Sequence, residues 1–127
     1  MSLTVTSQER QVGVFTVYPA GSLDSNTYPI LENTIKKIRE SSPKAIVFDM
    51  KDLTYISSAG VRVIVATKKA MKEGGGSVLL TNLQPQIRKV FDIIKALPSL
   101  SIFEGVEELD EYLTQMQRKV QEQEEEA

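Results

Sequence analysis

Three features of the sequence predict an α/β fold, a single domain built on a mixed β-sheet. Two β-branched segments open the chain close enough together to form an antiparallel hairpin, short apolar runs then alternate with helical periodicities, and about four helices fit into the 127 residues. A chain of this length buries most of the surface its unfolded form exposes and needs no second core.

The hairpin is read from "LTVTS" and "VGVFTVY", with the polar "QERQ" between them as a several-residue turn. "PAGSLDSNTYPI" is rich in turn formers and reads as a connection. Ile30, Leu31, Ile35 and Ile38 then recur at helical spacing up to Glu40, with Asp24, Ser25 and Asn26 as capping candidates, Pro29 tolerable in the first turn and "SSP" as the stop. "KAIVFDM" is a continuous apolar run suited to a central strand, and "KDLTYIS" reads as the loop after it. From Ser58 to Glu73 the apolar set Val61, Ile64, Val65 and Met71 repeats at helical spacing, lysines occupy positions 68, 69 and 72, and "GGG" ends the helix.

"SVLLTNL" is the next strand, "PQIRKVFDIIKAL" a third helix through Ile87, Val90, Phe91 and Ile94, and "SIF" a short last strand. "GVEELDEYLTQMQRKV" closes the series as a helix with Leu109, Tyr112, Leu113 and Met116 on one face. Crossovers between parallel strands share one hand, so a sequential strand order stacks the helices on one face and a reversal covers both; the sequence leaves this open. Residues 1–120 make the domain, and residues 121–127, "QEQEEEA", an acidic tail expected to fray.

Composition narrows the chemistry. The chain has no histidine and no cysteine, so it can build neither a Ser-His-Asp triad, nor a thiolate nucleophile, nor a Cys/His zinc site. No metal site and no cofactor are expected, since no P-loop or dinucleotide fingerprint is present and "EGGGS" reads better as a helix stop than as a phosphate cradle. Residues 104–127 carry nine acids and two bases, whereas the body before them has a modest excess of bases. Those bases are not clustered with interleaved aromatics, which argues against direct nucleic-acid binding. The lack of a signal-peptide pattern, of a membrane-length apolar run and of cysteine leads to the expectation of a soluble, cytoplasmic protein with no membrane partner.

The stretch "YISSAGVRVI" carries the strongest functional signal. Ser58 stands where a helix N-cap belongs, which is the commonplace role of such a serine. The turn also follows a strand in an α/β sheet, where such folds place their sites, and a helix amino end favours an anion. Ala59 and Gly60 are small, so the hydroxyl is expected to stand open to a partner, and Val63, Ala66 and Ala70 form a small apolar stripe expected to face outward beside it. A phosphate at Ser58 adds roughly −1.5 to −2 charges at a place the fold tolerates.

At this point the chain resembles a known family. "FDMKDLTYISSAGVRVIV", with "AGSLDSNT" upstream and "GGGSVLLTNLQPQIRKVFDII" downstream, is similar to the STAS family and most of all to its bacterial anti-sigma factor antagonists, over nearly the whole chain. The resemblance implies a STAS-like fold and a phosphorylation site at Ser58, two residues ahead of Gly60, with Asp24 in "GSLD" as the acidic residue near it. It also implies partner switching. The unmodified antagonist binds an anti-sigma factor that is itself a serine kinase and so frees a sigma factor for transcription; phosphorylation releases the partner; a PP2C-type phosphatase resets the cycle. The aspartate often found before the acceptor is Ser57 here, which makes Ser57 an alternative acceptor, and the following serine is Ala59. The surface expected to meet the partner comprises Asp24, Ser57, Ala59, Gly60, Arg62, Val63 and Ala66, on a protein expected to be monomeric and not an enzyme. Two other readings compete: a non-switching STAS subunit of a stress-signalling or lipid-transport assembly, and a small enzyme with Ser57 or Ser58 as nucleophile beside Asp24, Asp49 or a lysine.

Overall fold

The first two strands, β1 (Leu3–Gln11) and β2 (Val14–Leu23), pair antiparallel from Leu3 opposite Gly21 to Gln11 opposite Val14. They belong to a computed structural model that describes residues 2–96 and 103–126. The expected turn "QERQ" is strand instead: its side chains are exposed, so a β-ladder costs these polar residues nothing, and the chain reverses at Val12-Gly13. β2 likewise runs on through the Pro/Gly-rich stretch expected to be a connection.

Backbone bonding explains how β2 tolerates Pro19 and Gly21. Gly21 N–H donates to Asp52 O at 3.0 Å and Ser22 N–H to Ser2 O at 3.0 Å, so alternate residues of β2 face opposite edges. Pro19 faces the same edge as Gly21, in the gap where β2 has left one parallel neighbour and not yet met the next, where a missing N–H is harmless. Gly21 has φ +109°, and a Cβ there would stand 2.3 Å from Ser2 O, so only glycine fits.

After β2, α1 (Tyr28–Arg39) starts from Thr27, and Leu31, Ile35 and Ile38 enter the core. Ile30 is 44% exposed, on the flank of that stripe. No side chain of the expected caps bonds the helix, though the Asp24 carbonyl accepts the Tyr28 N–H at 2.9 Å. Asp24 organises the turn ahead of it, its Oδ1 accepting the N–H groups of Asn26 (2.9 Å) and Thr27 (3.1 Å). Next, β3 (Ala45–Asp49) buries Ile46 and Phe48 completely. The following segment is not all loop. Leu53–Ile56 forms β4, parallel to the last residues of β2, while β3 is parallel to Val14–Val17 of the same strand.

The 16-residue helix α2 (Ser58–Glu73) stops at the glycines, with Gly74 N–H bonding Ala70 O and Met71 O and Gly76 N–H bonding Met71 O at 2.7 Å. β5 (Ser77–Thr81) joins β3 in parallel, giving the order β1-β2-β3-β5 with β4 beside β2. The crossovers β2-α1-β3 and β4-α2-β5 advance in the same direction along the sheet, so their common hand sets α1 and α2 on one face, in contact with each other. α3 (Pro85–Ala96) packs on β4 and on α4 (Val106–Glu126). The helix α4 includes residues 121–126, which the sequence suggested as a frayed tail: these six exposed residues continue its last turns. Of the expected strand "SIF", residues 101 and 102 lie outside the described residues and Phe103 lies in a bend.

Candidate functional site

Among the described residues, β4 has two edges and only one strand beside it. Its other edge is occupied by glutamine side chains. Gln117 of α4 accepts the Ile56 N–H through Oε1 (3.0 Å) and donates from Nε2 to Ile56 O (2.8 Å), which reproduces the double bond of a β-bridge with an amide side chain. Gln86 of α3 donates to Thr54 O at 3.1 Å. A buried backbone N–H or C=O left unsatisfied costs about 1–3 kcal/mol, so Gln117, only 2% exposed, is a structural necessity for β4. A 2.7 Å hydrogen bond between the hydroxyls of Tyr55 and Thr114, and the buried Leu109 and Leu113, complete the attachment of α4 across this end of the sheet.

At that end α2 begins. Ser57, extended at φ −100° and ψ 176°, is its N-cap; its N–H bonds Leu23 O (2.9 Å) and its carbonyl accepts the first helical bond, from Val61 N–H (3.0 Å). Ser58 is the first helical residue rather than the cap. Neither serine side chain caps the helix. The hydroxyl of Ser58 does not stand open as the sequence suggested. Ser57 is 4% and Ser58 9% exposed, and both hydroxyl oxygens are buried without a hydrogen-bond partner among the described residues.

What closes over the turn is α4. Asp110 Oδ1 accepts the Ser58 N–H at 2.7 Å. The first turn of α2 contains no acid of its own, so this carboxylate from another helix supplies the negative group that the amino end favours. Nor does Gly60 leave the turn unshielded. It is buried, and a Cβ on it would lie 2.6 Å from Leu23 Cγ and 2.8 Å from Ile56 Cγ1, so its role is to let α2 sit directly on β2 and β4; Ala59 is half-buried.

Two cavities meet at the serine pair. A polar one of about 610 Å³ is lined by Asp24, Ser57, Asp110, Thr114, Gln117 and Arg118 among others, so the fold does bring Asp24 to the serine turn. An apolar one of about 440 Å³ runs along Ser58, Val61, Arg62, Val65, Val106 and Leu109. Val63 is not on the outward stripe: it is 7% exposed and lines a cleft against α1 with Ala66, while Val65, expected in the core, is 54% exposed. The exposed face of α2 is Arg62, Val65, Ala66 and Lys69. Asp49, offered as a partner for a nucleophile, accepts bonds from Lys51 N–H and Asn82 Nδ2 at the far turn instead.

The sequence reading missed Asp110 and Gln117. Gln117 had a readable signal, because it continues the four-residue spacing of Leu109 and Leu113, and a polar residue on a buried stripe needs a polar partner. Asp110 had none, since its role depends on how α4 lies over α2. Among the described residues, no helix is long and apolar enough to cross a membrane.

Comparisons with known proteins agree with this architecture. A family model described as the STAS domain matches residues 6–109. BtrV of Bordetella bronchiseptica, a candidate anti-sigma factor antagonist, is 33% identical over 73 residues, covering 58% of this chain and 63%, under two thirds, of that protein. The anti-sigma-B factor antagonist of Staphylococcus aureus is 23% identical over 107 residues, 84% of this chain and 96% of its own. An anti-sigma factor antagonist from Mycobacterium paratuberculosis superposes with a TM-score of 0.65 at 25% identity, over 79% of this chain and 89% of that one. SpoIIAA, a Bacillus cell-fate determinant solved in unphosphorylated and phosphorylated forms, gives a TM-score of 0.61 in each, at 20% and 18% identity, over 71% and 72% of this chain and 83% of its own. At that identity the likeness is one of fold.

Proposed function

The chain belongs to the STAS domain family, and we propose that within it the protein is an anti-sigma factor antagonist that works by partner switching in the cytoplasm, with Ser58 as its phosphorylation site. The observation that carries the reading is the Ser58 N–H at the amino end of α2, already paired with a carboxylate: that end is built to hold an anion. The names of the relatives support the antagonist role.

The unmodified protein presents the exposed face of α2 to an anti-sigma factor with serine kinase activity. Arg62, Val65 and Ala66 provide a mixed apolar and cationic surface next to Ser58, in place of the Val63-centred stripe. The kinase transfers the γ-phosphoryl group of ATP to Ser58. A dianion then sits at the edge of an interface made without it, and each 1.4 kcal/mol of desolvation and repulsion lowers affinity tenfold. A PP2C-type phosphatase hydrolyses the ester and restores binding.

Phosphate mapping after incubation with the cognate kinase, with binding assays on Ser58→Ala and Ser58→Asp, tests this. Phosphate is expected at position 58, with constitutive binding by the Ala variant and at least tenfold weaker binding by the Asp variant. Phosphate elsewhere only, together with an Asp variant that binds like the parent, overturns it. The burial of both hydroxyls favours one second reading, a non-switching STAS subunit, for which copurification with a large assembly in place of a kinase is the sign.

A further inference from the structure

The amino end of α4 blocks the same place that a phosphate on Ser58 would need. The Ser58 hydroxyl oxygen is buried, and the cavity of about 440 Å³ beside it is walled mainly by Val61, Val65, Val106 and Leu109, whose side chains offer the oxygens of a phosphate no hydrogen bonds. Leu109 and Val106 of α4 line the cavity beside Ser58, and Asp110 already takes the Ser58 N–H that a phosphate oxygen would seek. Charge adds to the conflict: the Asp110 carboxylate already sits at the Ser58 N–H, in a segment whose residues 104–111 carry five carboxylates and no cation, and Arg62 of α2 is the one cation lining the cavity beside Ser58 among the described residues.

We propose that the first turn of α4 is an autoinhibitory cover on Ser58, latched by Asp110, and that the seated cover and phosphoserine 58 exclude each other. This rests on the reading of Ser58 as the phosphorylation site. The cover need not unfold the domain to open. In the turn Val106–Asp110 only Leu109 is buried, whereas Leu113 and Gln117, farther along the helix, stay anchored to the core and to β4. With the turn displaced, Ser58 Oγ bonds to the γ-phosphorus of ATP held by the kinase, the bond from that phosphorus to the β,γ-bridging oxygen breaks, ADP leaves with the electron pair, and the serine proton passes to a base of the kinase. The phosphate oxygens then take over the α2 amide released by Asp110. Binding of the partner to unmodified chain and exposure of its serine are in this way separate events, and any ligand that prises off the turn sets the rate of modification.

The absence of cysteine gives a direct test. Ser58→Cys reports access through its rate of alkylation by iodoacetamide, with Lys69→Cys as the exposed reference. The cover predicts a rate at least tenfold below the reference, raised several-fold by Asp110→Ala in the same chain. Equal rates at positions 58 and 69, or no change with Asp110→Ala, overturn it. Hydrogen exchange needs no substitution: the amides of residues 106–111 are expected to exchange faster in the phosphorylated chain, and unchanged protection contradicts the proposal. Kinase labelling separates the two readings, since faster labelling of Asp110→Ala supports both. No phosphate on position 58 in either chain removes the switch, and the alkylation rates then decide the cover alone.

Discussion

Gly60 is where two opposing effects on one residue can be weighed. Replacing a helical glycine with alanine ordinarily gains up to about 1 kcal/mol of helix propensity. Here the new Cβ would stand 2.6 Å from Leu23 Cγ and 2.8 Å from Ile56 Cγ1, and both side chains are fully buried and have nowhere to go. Overpacking of this kind costs about 1–3 kcal/mol, so strain wins. Gly60→Ala is expected to lower stability in urea titrations by about 1 kcal/mol or more, while Gly105→Ala, with nothing within 4 Å of its Cβ, stays within about 0.5 kcal/mol of the parent. Equal stability of the two variants would show that α2 is not held against β2 and β4 at this point. The sequence revealed that position 60 was special, as the residue two beyond the serine, but not why: "small and open" and "small and tightly packed" look the same in one dimension.

At the scale of elements, the pairing of β4 with glutamines makes the sharpest prediction. Gln117→Leu keeps the volume and leaves both polar groups of Ile56 without the side chain that serves them. At about 1–3 kcal/mol for each unsatisfied group, a loss of at least about 2 kcal/mol is expected by denaturant unfolding, with little change in m-value. A loss below about 0.5 kcal/mol means that water or another donor replaces Gln117. This arrangement also explains why β4 was hidden. "LTYI" has strand propensity, but four residues flanked by "KD" and "SS" give too short a pattern, and its second edge is satisfied by a residue 61 positions away. The helices were readable, the burial of α2 less so. Gly60, Ile64, Thr67 and Met71 form the centre of its buried stripe at spacings of four, three and four, which puts Val63 on the inner flank and Val65 outside. Counting only the large apolar residues displaced that centre by about one position.

For the whole molecule, the order of the helices and of the strands other than β4 followed from periodicity and turn chemistry, because hydrophobic spacing is set by the same burial that builds the core. The position of α4 did not. Its acidic surface reads as a solvated helix, and its hold on Ser58 arises only when α2, β4 and α4 come together. Both proposals meet at the start of α2, where Asp110 holds the Ser58 N–H and where, as proposed, a phosphate would take its place and release a partner. The most direct test is the affinity of the purified anti-sigma factor for chain fully phosphorylated at Ser58, compared with unmodified chain. Kd is expected to rise at least tenfold on phosphorylation and to return on phosphatase treatment; the same Kd for both forms, with the phosphate verified at position 58, rules out the switch.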